Sequence, residues 1–207
     1  MDEVEGLFPV PLLRCRRLLD PALVAALARQ IHEAHTRKNA KSTQLSHTEI
    51  VSPDANGLYK RLASVLAPKL VEFGVLLFGD RLAWTVKEMW TNVLDTGGSQ
   101  GMHSHANSFV SGVAYLSPSH PSANTVFIRN PGGSEFTFRH NSRTAQVGPF
   151  NAGKWVTPDI GPGDVVLFPS YLLHEVPRNQ GGQRLTLAFN AIPDRLDSWG
   201  YAVSFRP

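Results

Sequence analysis

The chain has 207 residues, 42% of them hydrophobic and 18% charged, a balance that excludes a disordered chain and allows one generous domain or two cramped ones. A single cysteine, Cys15, excludes a disulfide framework and a cysteine-based zinc ribbon. The net charge of +3 makes no electrostatic case for a nucleic-acid partner. No apolar run reaches the ~20 residues of a membrane span, and the acidic start Met1-Asp2-Glu3 lacks the charge of a secretory leader, so a cytoplasmic setting is expected.

In chain order, Asp20 is placed to cap a helix that opens with Pro21, with Leu23, Ala26, Leu27, Ile31 and Ala34 at three-to-four-residue steps. Asp54 could cap a second helix whose apolar stripe is Leu58, Leu62, Val65, Leu66, Leu70 and Phe73, although Gly57 and Pro68 weaken that pattern. The polar segment 36–52 between them reads as a lid or a plain connector. Beyond residue 80 the texture turns to strands, at 82–94, 108–116, 125–130, 135–139, 154–157, 164–169, 184–192 and 200–205. Gly97-Gly98, Pro131-Gly132-Gly133, Gly161-Pro162-Gly163 and Gly181-Gly182 are read as turns between them. Many short strands predict a sandwich or barrel, with the helices supporting one outer face. The expected organisation is one domain, 1–207, made of a helical support region, 1–80, and a β core, 81–207.

Three features could carry chemistry. His103-Ser104-His105 places two imidazoles on one face of an extended segment, as a metal requires, or forms a polar surface pair. His174 follows the apolar strand Val165–Phe168 and reads either as a third ligand or as a buried histidine bonded to backbone. In Arg184-Leu-Thr-Leu-Ala-Phe-Asn190, alternation puts Leu185, Leu187 and Phe189 on a core face. The other face carries Arg184, Thr186, Ala188 and Asn190, one cation with small hydrogen-bonding neighbours, which suits a cavity for an anion as well as it suits solvent.

Taken together, His-x-His, a distal histidine and an arginine with threonine two residues on resemble the Fe(II)/2-oxoglutarate-dependent oxygenases. The stretch from His103 through Ser111-Gly112-Val113 and Tyr115-Leu116, with Phe168-Pro169-Ser170 before His174 and the strand from Arg184 to Asn190 after it, is similar to the bacterial and phage family of these enzymes whose first motif is histidine-rich. Leu7-Phe8-Pro9-Val10-Pro11 and Trp90-Thr91-Asn92 extend the likeness thinly. The resemblance implies a double-stranded β-helix (a cupin-like jelly roll) that uses Fe(II), 2-oxoglutarate and O2 to hydroxylate, or otherwise oxidise, a small organic substrate such as an amino acid or natural-product intermediate. By the same resemblance His103 and His174 are iron ligands, Arg184 with Thr186 holds the far carboxylate of 2-oxoglutarate, and Tyr115, Asn92 and Asn190 are further contacts to it. Tyr115 is assigned to that face by strand parity with His103 and His105.

One position departs from the general His-x-Asp/Glu pattern, because residue 105 is histidine. His105 could be the third ligand, which is the preferred reading; a carboxylate such as Asp95 or Glu175 could complete the set; or the position could stay open. Two other functions remain at this point, a three-histidine cupin-type dioxygenase that needs no 2-oxoglutarate and a jelly-roll binding protein with structural histidines. Substrate choice is expected to lie in the loops 117–123 and 142–153. Val126, Phe127 and Phe168 could line the site or simply pack the core.

Overall fold

The computed structural model describes residues 3–33, 37–38, 42–129, 142–157 and 159–205. The elements in chain order are β1 (Leu13–Cys15), α1 (Pro21–Glu33), β2 (Arg37–Lys38), β3 (Thr43–His47), α2 (Gly57–Phe78), β4 (Trp84–His103), β5 (Val110–Tyr115), β6 (Val126–Ile128), β7 (Lys154–Val156), β8 (Val165–Pro169), β9 (His174–Val176), β10 (Arg184–Pro193), β11 (Arg195–Ser198) and β12 (Tyr201–Ser204). The strand expected at 135–139, the turn at Pro131-Gly132-Gly133, and His35 and His140 lie outside the described residues.

The two helices begin as helix termini require, with side-chain oxygens taking the first free backbone N–H groups. Asp20 Oδ1 accepts from Leu23 N at 2.8 Å, as the sequence predicts. The second helix differs from expectation: Ser52 caps a single 3-10 turn that contains Asp54, and Asn56 caps α2 through a 2.9 Å bond from Tyr59 N. Pro68 is accommodated inside α2.

All strand pairs named here are antiparallel, and the path β1-β8-β5-β10-β4-β9-β6-β7 folds into two facing layers. The long strand β4 belongs to both. Its first half pairs with β10 from Trp84↔Pro193 to Leu94↔Arg184, and its end pairs with β9, His103 opposite His174. Gly97 and Gly98 therefore do not make the expected turn. Gly97 sits at φ 82°, open to glycine and strained for others, and bends β4 from one layer into the other. The segment 43–47 is neither lid nor plain connector, since β3 pairs with β4 (Leu45↔Leu94, His47↔Asn92).

Strand alternation sorts the core. Leu185, Leu187 and Phe189 of β10 and Val165 and Leu167 of β8 face outward against Leu23, Leu27, Leu62, Leu66, Leu70 and Phe73 of the helices. Each such buried side chain contributes roughly 1.5–3 kcal/mol. The inward residues Tyr115, Val166 and Phe168 meet Phe127 from the opposite layer. This is a jelly roll backed by two helices, and among the described residues no helix is long and apolar enough to cross a membrane.

Candidate metal centre

The register His103↔His174 across β4 and β9 places two imidazoles side by side, 4.2 Å between ring centroids. His105 lies beyond the end of β4 and is held by its backbone N–H, which donates to Ser170 O at 2.9 Å. One nitrogen of each of the three rings lies within 4.8 Å of the others, with His105 Nε2 3.3 Å from His174 Nε2. Ligands that share one ion at about 2.1 Å on adjacent positions lie about 3 Å apart, which the His105–His174 pair approaches, and His103 completes a group of three that could hold a metal ion.

Backbone carbonyls fix the tautomers. His103 Nδ1 is 2.8 Å from Gly101 O and His174 Nδ1 is 2.9 Å from Leu172 O; because a carbonyl only accepts, the protons sit on Nδ1 and each Nε2 is an acceptor, that of His103 lying 3.3 Å from the Gln100 side-chain amide. Burial, reinforced by the nearby His103, pushes His105 down to about 4 and His174 down to about 3. Both rings are therefore neutral near pH 7, the form that binds metal.

A cation lies on the same cavity wall. Arg184 is 4% exposed, and among the described residues no carboxylate pairs with it. Its guanidinium lies 5.1 Å from the Tyr115 ring centroid and its Nη2 is 3.5 Å from Thr125 Oγ1, while Nε has no hydrogen-bond partner. Burial pushes its pKa down. A buried cation with an unused donor is costly unless an anion meets it, so the group fits a carboxylate ligand. Thr186, Asn92, Trp90, Gln100, Thr125 and the three histidines line one narrow cavity with it.

The family described as "Putative 2OG-Fe(II) oxygenase" matches residues 88–190, a stretch that encloses all three histidines and Arg184. The chain belongs to the Fe(II)/2-oxoglutarate-dependent oxygenases. These enzymes use Fe(II), 2-oxoglutarate and O2. No curated protein matches the sequence significantly. Among solved structures, the fold of this oxygenase is similar to HygX from Streptomyces hygroscopicus with nickel and 2-oxoglutarate bound (15% identity, TM-score 0.66, covering 89% of this chain and 83% of that one). It is also similar to the α-ketoglutarate-dependent epimerase SnoN from nogalamycin biosynthesis (11%, 0.65, 90% and 80%). A third similar structure is a Pseudomonas putida prolyl-4-hydroxylase (17%, 0.59, 87% and 92%).

The remaining sequence-predicted residues divide. Tyr115 lies beside Arg184, but not by the expected parity: the chain between His103 and Val110 is no strand, so parity does not carry across it. Asn92 and Thr186 face each other across β4 and β10 and line the oxygenase's cavity. Asn190 does not line it; its amide donates to Glu88 Oε1 at 2.7 Å and its carbonyl accepts from Ser111 Oγ at 2.7 Å. The two carboxylates considered as third ligands are engaged elsewhere, Asp95 with Gln183 Nε2 at 2.9 Å and Glu175 with Lys154 Nζ at 2.7 Å. Val126 pairs opposite Glu175, on the face away from the histidines, whereas the Phe127 and Phe168 rings lie 6.1 and 4.8 Å from that of His174.

Sequence reasoning missed Thr125 and Glu88. Thr125 Oγ1 joins the Tyr115 hydroxyl at 2.9 Å. Glu88 shares the inward face of β4 with Trp90 and Asn92, and its place two residues before Trp90 and four before Asn92 was the available signal.

Proposed function

We propose that this oxygenase holds Fe(II) through Nε2 of His103, His105 and His174. Arg184, with Thr186, Tyr115 and Thr125 around it, receives the far carboxylate of 2-oxoglutarate, and Asn92 contacts the same molecule. When bound, iron, 2-oxoglutarate and O2 supply the oxidising chemistry, converting 2-oxoglutarate to succinate and CO2 while a C–H bond of a small organic substrate is hydroxylated. The protein's own residues do the rest. The Gly101 and Leu172 carbonyls hold the protons of His103 and His174 on Nδ1 and keep each Nε2 aimed at the ion. The guanidinium would pair with the far carboxylate of the acid, and the Phe127 and Phe168 rings pack beside His174.

The observation that carries this reading is the buried Arg184, which meets no carboxylate among the described residues, on the cavity wall where three imidazoles converge. A small-molecule substrate is supported by the similar structures: HygX has been solved with hygromycin B bound and SnoN with nogalamycin RO. The test is succinate formation from 2-oxoglutarate by the iron-reconstituted protein. Turnover that needs iron and disappears in His103→Ala and His174→Ala is expected; turnover that survives His174→Ala overturns the ligand set. Iron-dependent oxygen uptake without 2-oxoglutarate would instead support a cupin-type dioxygenase.

A further inference from the structure

A second concavity, about 590 Å3 in volume, lies along the outer edge of the short layer, between the N-terminal segment and the chain around β7. Its walls are mostly apolar, with Leu7, Phe8, Phe150, Trp155, Phe127 and Leu172, and Arg129 and Lys154 also line it. Phe150 packs against Gly6, where an added Cβ would lie 3.7 Å from the ring, so the two walls meet. Phe8 is 95% exposed and Phe150 60%, an unusual amount of aromatic surface to leave in water. The backbone adds a second sign. Phe8 is held at φ 53°, a conformation bulky side chains avoid, although its ring buries nothing.

The groove is tied to the histidines by strand register. His103 pairs with His174, His174 with Phe127, and Phe127 with Trp155, one row crossing four strands. Directly opposed side chains share a sheet face, so Trp155 stands on the same face as the imidazoles, two strand spacings or about 10 Å from His174. Phe127, which lines the groove, stands between the two places, its ring centroid 6.1 Å from that of His174 and 6.2 Å from that of Trp155. Leu172, which also lines the groove, supplies the carbonyl that orients His174.

We propose that this groove receives the substrate of the oxygenase and that the substrate carries a flat, apolar ring system, laid between Phe8, Phe150 and Trp155 with its reacting carbon directed past Phe127 toward the histidines. The proposal rests on the oxygenase reading above. A concave site of this volume suits a small molecule, and aromatic walls favour stacked or edge-on rings.

The test uses 2-naphthol as the probe and the full-length protein loaded with Mn(II). We expect saturable binding, weakened about tenfold in Trp155→Ala, and Mn(II)-dependent broadening of the naphthol proton signals. Phe8→Gly guards against misfolding, because glycine adopts positive φ freely; it should weaken binding with no fall in Tm. Naphthol binding that is absent, or unmoved by both substitutions while succinate formation is intact, overturns the groove alone. Groove-dependent binding in a protein that takes up no Mn(II) overturns the oxygenase reading and the substrate role with it. Concentration-dependent dimerisation that Trp155→Ala abolishes would show the groove to be a contact between copies and would also overturn the proposal.

Discussion

Replacing Arg184 by methionine should move stability and cosubstrate binding in opposite directions. The guanidinium is buried, and its Nε has no partner. Exchanging such a charge for an apolar chain of similar volume is neutral to stabilising, by up to ~1–4 kcal/mol. For a protein of this size, 1 kcal/mol corresponds to roughly 2–4 °C in Tm. The metal-free Arg184→Met protein should therefore melt at the same temperature as the parent or several degrees higher. Binding behaves otherwise, because removing one partner of a buried charge pair costs ~2–5 kcal/mol, or about 30-fold to several-thousand-fold in Kd. Calorimetric titration of 2-oxoglutarate into anaerobic, Mn(II)-loaded protein reads the second quantity, and thermal unfolding the first. A Tm several degrees lower together with an unchanged Kd would refute the reasoning, because it would make Arg184 a structural residue that already has its partner.

Three further outcomes are expected. His105→Ala should weaken metal binding by more than the ~10–100-fold typical of an outer-shell partner, measured by equilibrium dialysis of Mn(II); a smaller loss would return the third position to water or to a carboxylate. His105 and His174 are pushed down to about 4 and about 3, below the ordinary imidazole value of 6.5. Below pH 6.5 the unfolded chain takes up protons that the native chain refuses, so the stability of the metal-free protein is full above that pH and drains as pH falls toward 4 for His105 and toward 3 for His174. Melting at pH 7 and pH 5 should show the decline, and His174→Phe should flatten it; a decline of equal slope in the variant would contradict the assignment. Gly112→Ala would bring a Cβ within 2.2 Å of Phe189 Cζ and 2.8 Å of Leu167 Cδ2, so overpacking should lower stability by ~1–3 kcal/mol, read as a depressed Tm in denaturation scans.

The parts legible in the sequence are those governed by a short period. The strand expected at 184–192 is observed as β10, and its period of two separates the helix-facing leucines from Arg184 and Thr186. Helix α1 was equally plain, because its cap and its three-to-four-residue stripe are local. What escaped depends on distant partners. The three-residue strands β1 and β9 are too short to show a pattern, and they exist because β8, β4 and β6 pair with them. Gly97-Gly98 carries turn chemistry, yet β4 runs through it because one half has β10 for a partner and the other has β9. The centre was half legible: His-x-His and His174 stand out as residue types, but that Asp95 and Glu175 bond elsewhere, or that Thr125 reaches Tyr115, follows only from the folded chain.

The most direct measurement is a crystal structure of the protein soaked anaerobically with Mn(II) and 2-oxoglutarate. The account predicts an ion bonded to Nε2 of His103, His105 and His174, with one carboxylate of the diacid forked onto Arg184. An ion held by other side chains, or a diacid lying away from the guanidinium, would contradict it.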